Sequence, residues 1–146
     1  MYAPDKYNCP FCKLVSGDYG SRENEIIFES NEVIVFPAKH HKKGNEGNLL
    51  VVPKQHIENL YQLPLNLAEP ILEATQKAAV VLKAALQCDG ISIRQHNEPA
   101  GGQDVWHYHV HVIPRYTDDT FQVSSHELVS DEERLKMAMR LRAAVT

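Results

Sequence analysis

At 146 residues, 43% hydrophobic and 23% charged, the chain has the size and balance of about one globular domain, which excludes a disordered, collagen-like or disulfide-dominated protein. Fifteen Lys+Arg against nineteen Asp+Glu give a formal net charge of -4, so no basic excess marks a nucleic-acid partner. Apolar runs such as Ala78 to Leu82 are far too short to span a bilayer. Residues 1–8 lack the apolar stretch of a secretory signal, and three cysteines, an odd number, suit a reducing compartment. A cytoplasmic protein with a single domain over 1–146 and no membrane partner is expected.

In chain order, Cys9 to Ser16 reads as a short helical turn ended by Gly17-Asp18. Glu25 to Glu29 and Glu32 to Phe36 are short β-rich runs about a Ser30-Asn31 turn, with Pro37 stopping the second. Lys39 to Lys43 leads into the polar stretch Gly44 to Asn48, and the whole reads as an exposed, mobile loop. Leu49 to Val52, closed by Pro53, is expected as a buried strand. From Asn66 to Gln87, Leu67, Ile71, Ala74, Ala78, Leu82, Ala85 and Leu86 fall on one helical face, with Asn66 as N-cap and Asp89-Gly90 as the stop. Ile91 to Arg94 reads as a strand, Asn97 to Gly102 as a loop, and Val105 to Ile113 as a strictly alternating strand. Ser130-Asp131-Glu132-Glu133 has the capping-box form, so a last helix is expected from about Asp131 towards Ala144. Together these elements describe an α+β domain: an antiparallel sheet of about five strands, one long helix and terminal helices.

The chemistry concentrates in His107-Tyr108-His109-Val110-His111-Val112-Ile113, three of the chain's eight histidines. Side chains alternate along a strand, so His107, His109 and His111 share one face, while Trp106, Tyr108, Val110 and Val112 are expected against a helix. A face built only for packing would favour β-branched and aromatic residues instead. One metal can take neighbours at i and i+2, but the outer pair lie about 14 Å apart at Cα, which strains a three-histidine site. The other reading is a row of imidazoles meeting an extended anion, for which a phosphate chain is the obvious candidate.

The run Asn97 to His107, the alternating histidines and Pro114-Arg115-Tyr116 resemble the histidine triad (HIT) superfamily, whose motif is His-x-His-x-His-x-x with apolar x. Cys9-Pro10-Phe11-Cys12 and Leu49-Leu50-Val51-Val52-Pro53-Lys54-Gln55-His56 look like further landmarks in the right order, so the resemblance covers roughly 9–116, with a C-terminal extension at about 130–145. It lies nearest the bacterial nucleotide-binding branch and implies a HIT-like fold, a homodimer and a purine nucleotide as small-molecule partner. It also implies reaction at the α-phosphorus through a covalent nucleotidyl-histidine, releasing a nucleoside monophosphate from a phosphoramidate, an acyl-nucleotide or a dinucleoside polyphosphate. His109 would be the nucleophile, its Nδ1 held by the His107 carbonyl, and His111 would donate to a phosphoryl oxygen. Asn97 matches an amide position for the phosphate or leaving group, and Gln103 with the small Gly101-Gly102 pair would let backbone approach it. Asp104 stands where many relatives carry Ser or Thr.

Cys9-Pro10-Phe11-Cys12 also has the form of a glutaredoxin-type redox motif, which needs a preceding strand that eight residues hardly supply. The resemblance instead implies a structural zinc on Cys9, Cys12, His56 and His107, and no organic cofactor. Phe11, Leu14 and Phe36 match positions lining the family's purine pocket. Where relatives commonly place an acid for the ribose hydroxyls, this chain has Pro37-Ala38, followed by Lys39, His40, His41, Lys42 and Lys43, a run expected at the pocket mouth. Two alternatives to the covalent enzyme are a non-catalytic, zinc-stabilised module for nucleotide or protein binding, and a metal-dependent hydrolase.

Overall fold

The apolar runs at Val33–Pro37 and Leu49–Pro53 form the two fully buried strands of the fold, every residue of both being buried. The computed structural model describes residues 1–18 and 20–146. Helix α1 spans Pro10–Val15, followed by a 3-10 helix over Gly20–Glu25. Strands β1 (Phe28–Glu29), β2 (Val33–Pro37), β3 (His40–Lys42) and β4 (Leu49–Pro53) precede the long helix α2 (Ala68–Leu86). Strands β5 (Gly90–Gln95), β6 (Val110–Arg115) and β7 (His126–Leu128) lead to helix α3 (Asp131–Arg142).

Five strands form one sheet in the order β1-β2-β4-β6-β5, and every neighbouring pair is antiparallel. A pleated strand sends alternate side chains to opposite faces, and two apolar clusters result. Val33, Val35, Leu49, Val51, Val110 and Val112 face α2, where Ile71, Ala74, Ala78, Val81 and Leu82 cover them. Ile34, Phe36, Leu50 and Val52 face the other way, onto Cys9, Phe11 and Leu14 of the α1 region. The fold is therefore the expected α+β architecture, with an antiparallel five-stranded sheet, one long helix and a C-terminal helix.

Four local expectations are corrected. The charged run 39–43 is not a free loop: His40–Lys42 is β3, paired with β7 as a separate two-stranded ribbon. Local polarity conceals this, because the stabilising partner lies more than 80 residues away. The histidine strand begins at Val110 rather than Val105 and runs on to Arg115. Ahead of it the backbone bonds elsewhere: Tyr108 N–H donates to Ile57 O at 2.6 Å and His107 N–H to Val105 O at 2.8 Å. Trp106 leaves the helix face and stacks on Tyr2, with ring centroids 5.9 Å apart. Helix α2 starts at Ala68, because residues 65–67 form a 3-10 turn, and it ends at Gln87 in the left-handed region (φ 54°).

Two smaller differences concern ends. Of the run 25–29 only Phe28–Glu29 pairs as strand, since Glu25 closes the preceding 3-10 helix. Helix α3 has its capping box at Ser130 and Glu133 and stops at Arg142. Its Arg134 is buried and binds the buried Glu25, which also accepts from Arg22 at 2.8 Å; Arg22 in turn reaches the Pro37 carbonyl. This ionic cluster ties the C-terminal helix to the end of β2.

Candidate functional site

The histidine row starts at a four-residue cluster. Cys9 and Cys12 sit at the start and inside α1, His56 follows β4, and His107 precedes β6. Their ligand atoms all lie within 4.8 Å of one another. Cys12 Sγ is 3.2 Å from His56 Nδ1 and 3.6 Å from His107 Nδ1, and Cys9 Sγ is 3.4 Å from His107 Nδ1. Bond lengths of about 2.0–2.3 Å to a tetrahedral zinc give ligand separations of about 3.3–3.8 Å, so the four could hold such an ion with small adjustments. His107 Nε2 donates to the Pro53 carbonyl at 2.8 Å, which fixes the tautomer and leaves Nδ1 aimed at both sulfurs. Burial, aided by Cys9, pushes the Cys12 thiol up to about 11, and a bound cation is what would hold its thiolate there.

His109 is also buried, and its Nδ1 lies 2.7 Å from the His107 carbonyl oxygen. A carbonyl only accepts, so Nδ1 carries the proton and Nε2 of the neutral ring keeps its lone pair. Nε2 looks outward, 4.0 Å from the exposed Asp104 carboxylate. Burial lowers the His109 pKa and holds it neutral; burial first, and then the neighbouring His109, His96, His126 and Arg94, push His111 down to about 3. The Asn48 amide reaches His111 Nδ1, and the nearer atom, Nδ2 at 3.3 Å, also donates to the His40 carbonyl. In that arrangement Nδ1 accepts and the proton sits on Nε2. His109 and His111 rings are 5.1 Å apart, and Phe11 meets both His107 and His109 edge-on. The alternation read from the sequence thus persists in side-chain direction where the strand hydrogen bonds do not.

The remaining expected residues divide. Phe11, Leu14 and Phe36 are buried, with the Phe11 and Phe36 rings 5.5 Å apart edge to face beside His109. Asn97 uses its Oδ1 for Leu60 N–H and Gln95 Nε2, and donates Nδ2 to Gln95 Oε1. Gln103, buried, donates to the Glu58 and Val105 carbonyls and accepts from Glu98 N–H. It thereby braces Glu98, a non-glycine residue at φ 64° and ψ 163°, a conformation costing about 1–3 kcal/mol. Gly102 holds φ 86°, and a Cβ there would come within 3.4 Å of His96 Nδ1. Both amides therefore shape the loop beside the histidines.

Three residues that sequence reasoning missed complete the site. His96 donates to the Gly101 carbonyl at 2.9 Å and its ring lies 5.7 Å from His111. Asn48 orients His111, and Arg94 sits directly opposite His111 in the β5–β6 pairing. The register between β5 and β6 is the signal that finds Arg94; no motif marks it.

An antiparallel five-stranded sheet carrying a row of histidines beside a Cys/His cluster defines the class of α+β protein to which the chain belongs. The HIT domain family model matches residues 20–118, and the chain belongs to this histidine triad family. It is 36% identical over 109 residues to Protein hit of Bacillus subtilis, covering 75% of this chain and 72% of that one. A HIT-like protein from Bartonella henselae superposes with a TM-score of 0.83 at 32% identity, over 94% of this chain and 96% of that chain. A zinc-bound histidine triad protein from Mycobacterium smegmatis gives 0.79 at 28% identity, over 94% and 93%. Nucleotide hydrolases are among the relatives: an adenylylsulfatase of Arabidopsis thaliana is 25% identical over 145 residues, 92% of this chain and 68% of that one. No helix of the described residues is long and apolar enough to cross a membrane.

Proposed function

We propose that this protein hydrolyses or transfers at the α-phosphorus of a nucleotide, through a nucleotidyl intermediate on His109. The observation that carries the reading is the His109 Nδ1–H donated to the His107 carbonyl, which leaves Nε2 as a free lone pair beside His111. Nε2 forms an N–P bond while the bond from phosphorus to the leaving group breaks, and the leaving group departs with the electron pair and takes a proton from solvent. The ring becomes cationic, and the His107 carbonyl stabilises that charge without moving. His111, neutral with its proton on Nε2, donates to a non-bridging oxygen. Water then attacks phosphorus, the N–P bond breaks, a proton returns to solvent, and the nucleoside monophosphate is released. Phe11, Leu14 and Phe36 would line a purine pocket once the packing that buries them here opens to the base.

Zinc fits Cys9, Cys12, His56 and His107: two thiolates and two imidazoles would supply the four protein ligands that a structural zinc takes. Bound there it would supply structure, fixing α1 to the histidine row. The His107 ring then belongs to the metal site, and its backbone carbonyl serves His109. A homodimer is part of the same reading: β5 is an edge strand of the sheet with Ile93 half-exposed, open to pairing with a second copy. Free thiols at Cys9, Cys12 and Cys88 suit the cytoplasm.

Intact-mass spectrometry after brief mixing with adenosine and guanosine phosphoramidates, acyl-nucleotides and dinucleoside polyphosphates tests the reading. The expected result is an adduct of one nucleoside monophosphate less water, absent from His109→Ala. The non-catalytic alternative draws on the Asn97 and Gln103 amides, which are spent on protein partners. Saturable nucleotide binding with no adduct and no turnover across the panel would favour it.

A further inference from the structure

Beyond His111 the histidine row opens into a cleft of about 490 Å³, lined among others by Lys42, Arg94, His96, His111, Phe121 and His126. Arg94 and Lys42 supply its charge, each facing a histidine across a strand pair. Arg94 lies opposite His111 in the main sheet, and Lys42 lies opposite His126 in the β3–β7 ribbon. Asp104, at the rim, is the one carboxylate on the cleft wall among the described residues.

Arg94 is the informative member. Its guanidinium lies over the buried Phe121 ring, 4.6 Å from the centroid, and is only half-buried. It makes no hydrogen bond or ion pair with any described residue, so its N–H donors remain available in the cleft. Phe121 is held in turn by Asp119, whose carboxylate accepts from Phe121 N–H and from Arg115. The Lys42 ammonium is anchored on the Ser124 carbonyl at 2.6 Å with the same ring 5.7 Å away. One aromatic ring thus arranges cations from two separate sheets around one space. A guanidinium fork and an ammonium together match phosphate oxygens.

We propose that this cleft is the subsite for the leaving group and that it takes one carrying phosphate, with Arg94, Lys42 and His126 setting the preference. It rests on the hydrolase reading of His109 for its kinetic consequence, but not for the binding of phosphate itself. The polyphosphate of a dinucleoside polyphosphate reaches from the α-phosphorus at His109 past His111 to the Arg94 guanidinium and the Lys42 ammonium, with His126 as a neutral hydrogen-bonding neighbour; the amine of a phosphoramidate carries nothing for them to hold. Once the bond at phosphorus breaks, the departing phosphate takes the bonding electron pair and gains negative charge, which Arg94 and Lys42 stabilise.

The experiment has two arms on the full chain. Inorganic pyrophosphate is titrated while the histidine ring resonances are followed by NMR, which separates this cleft from the metal cluster at His56. Saturable shifts at His96, His111 and His126 are expected, with affinity lowered at least about tenfold in an Arg94→Gln, Lys42→Met double variant. No saturable shift, or one that persists unweakened in the double variant, overturns the subsite. In the second arm, kcat/KM is measured for diadenosine triphosphate and for adenosine phosphoramidate. The ratio of the two should fall at least about tenfold in the double variant; an unchanged ratio overturns the leaving-group assignment. Arg94→Lys, which keeps the charge and loses the fork, should restore part of the ratio and guards against a folding defect. Pyrophosphate binding without turnover of either substrate would instead remove the hydrolase reading and leave a phosphate site.

Discussion

His107 and His109 are joined by a 2.7 Å hydrogen bond from an imidazole Nδ1 to a backbone carbonyl, and that bond divides labour between adjacent histidines of the row. The ring of His107 points at two cysteine sulfurs, and its carbonyl points at the next histidine. Anything that shifts the Cys/His cluster therefore shifts the acceptor that sets the His109 tautomer.

Replacing His109 by Ala should lower turnover of any confirmed substrate by roughly a thousandfold or more, while nucleotide affinity changes little. A covalent nucleophile acts in the transition state, and its loss leaves ground-state contacts in place. Turnover near the native value in His109→Ala would refute the assignment.

Elemental analysis of protein prepared without chelator should find about one zinc per chain, abolished in a Cys9→Ser, Cys12→Ser variant. Metal that binds only the folded state raises its stability, so chelation should lower Tm. Activity under chelator should fall only in step with unfolding; loss of activity in a still-folded protein would point to a catalytic metal instead.

Glu25→Ala should destabilise the protein by about 3–5 kcal/mol, because it leaves buried guanidinium groups of Arg134 and Arg22 without the carboxylate they share. Urea unfolding gives the number. A change below about 1 kcal/mol would mean that water or rearrangement replaces the pair.

The Arg115 guanidinium, with Tyr116 N–H and the Asn45 amide, holds the Asp119 carboxyl well below the usual carboxylate range. A group depressed in the folded state adds stability above its unfolded pKa of about 3.9, and that stability is lost as pH falls towards the folded value. The gap in unfolding free energy between native protein and Asp119→Asn should therefore be widest above about pH 5 and narrow below pH 4. A gap independent of pH would contradict the ionic origin of this bond network.

Much of this was legible in the sequence, and the reasons differ by element. The helix face at Ile71, Ala74, Ala78 and Leu82 and the apolar strand 49–52 are local patterns that burial simply reads out. The facing of His107, His109 and His111 follows from alternation alone. What escaped depends on partners distant in sequence: β3 looks like solvated charge until β7 is placed beside it, and Arg94 looks ordinary until the register sets it against His111. Gln103 and Asn97 were read as contacts for the phosphate or leaving group; only the fold shows the Gln103 amide donating to the Glu58 and Val105 carbonyls and the Asn97 amide paired with Gln95 and Leu60 N–H.

The β3–β7 ribbon has only three residue pairs and hydrogen-bonds to no strand of the main sheet. Such a unit can open while β4 and β6 stay intact, so its amides should exchange with solvent far sooner than theirs. The wall bearing Lys42 and His126 is thus the compliant side of the site, and the histidine row its stiff side. On the proposed reading, a bulky leaving group would be admitted and discharged by yielding on that one wall, with the His109 ring kept at its post throughout.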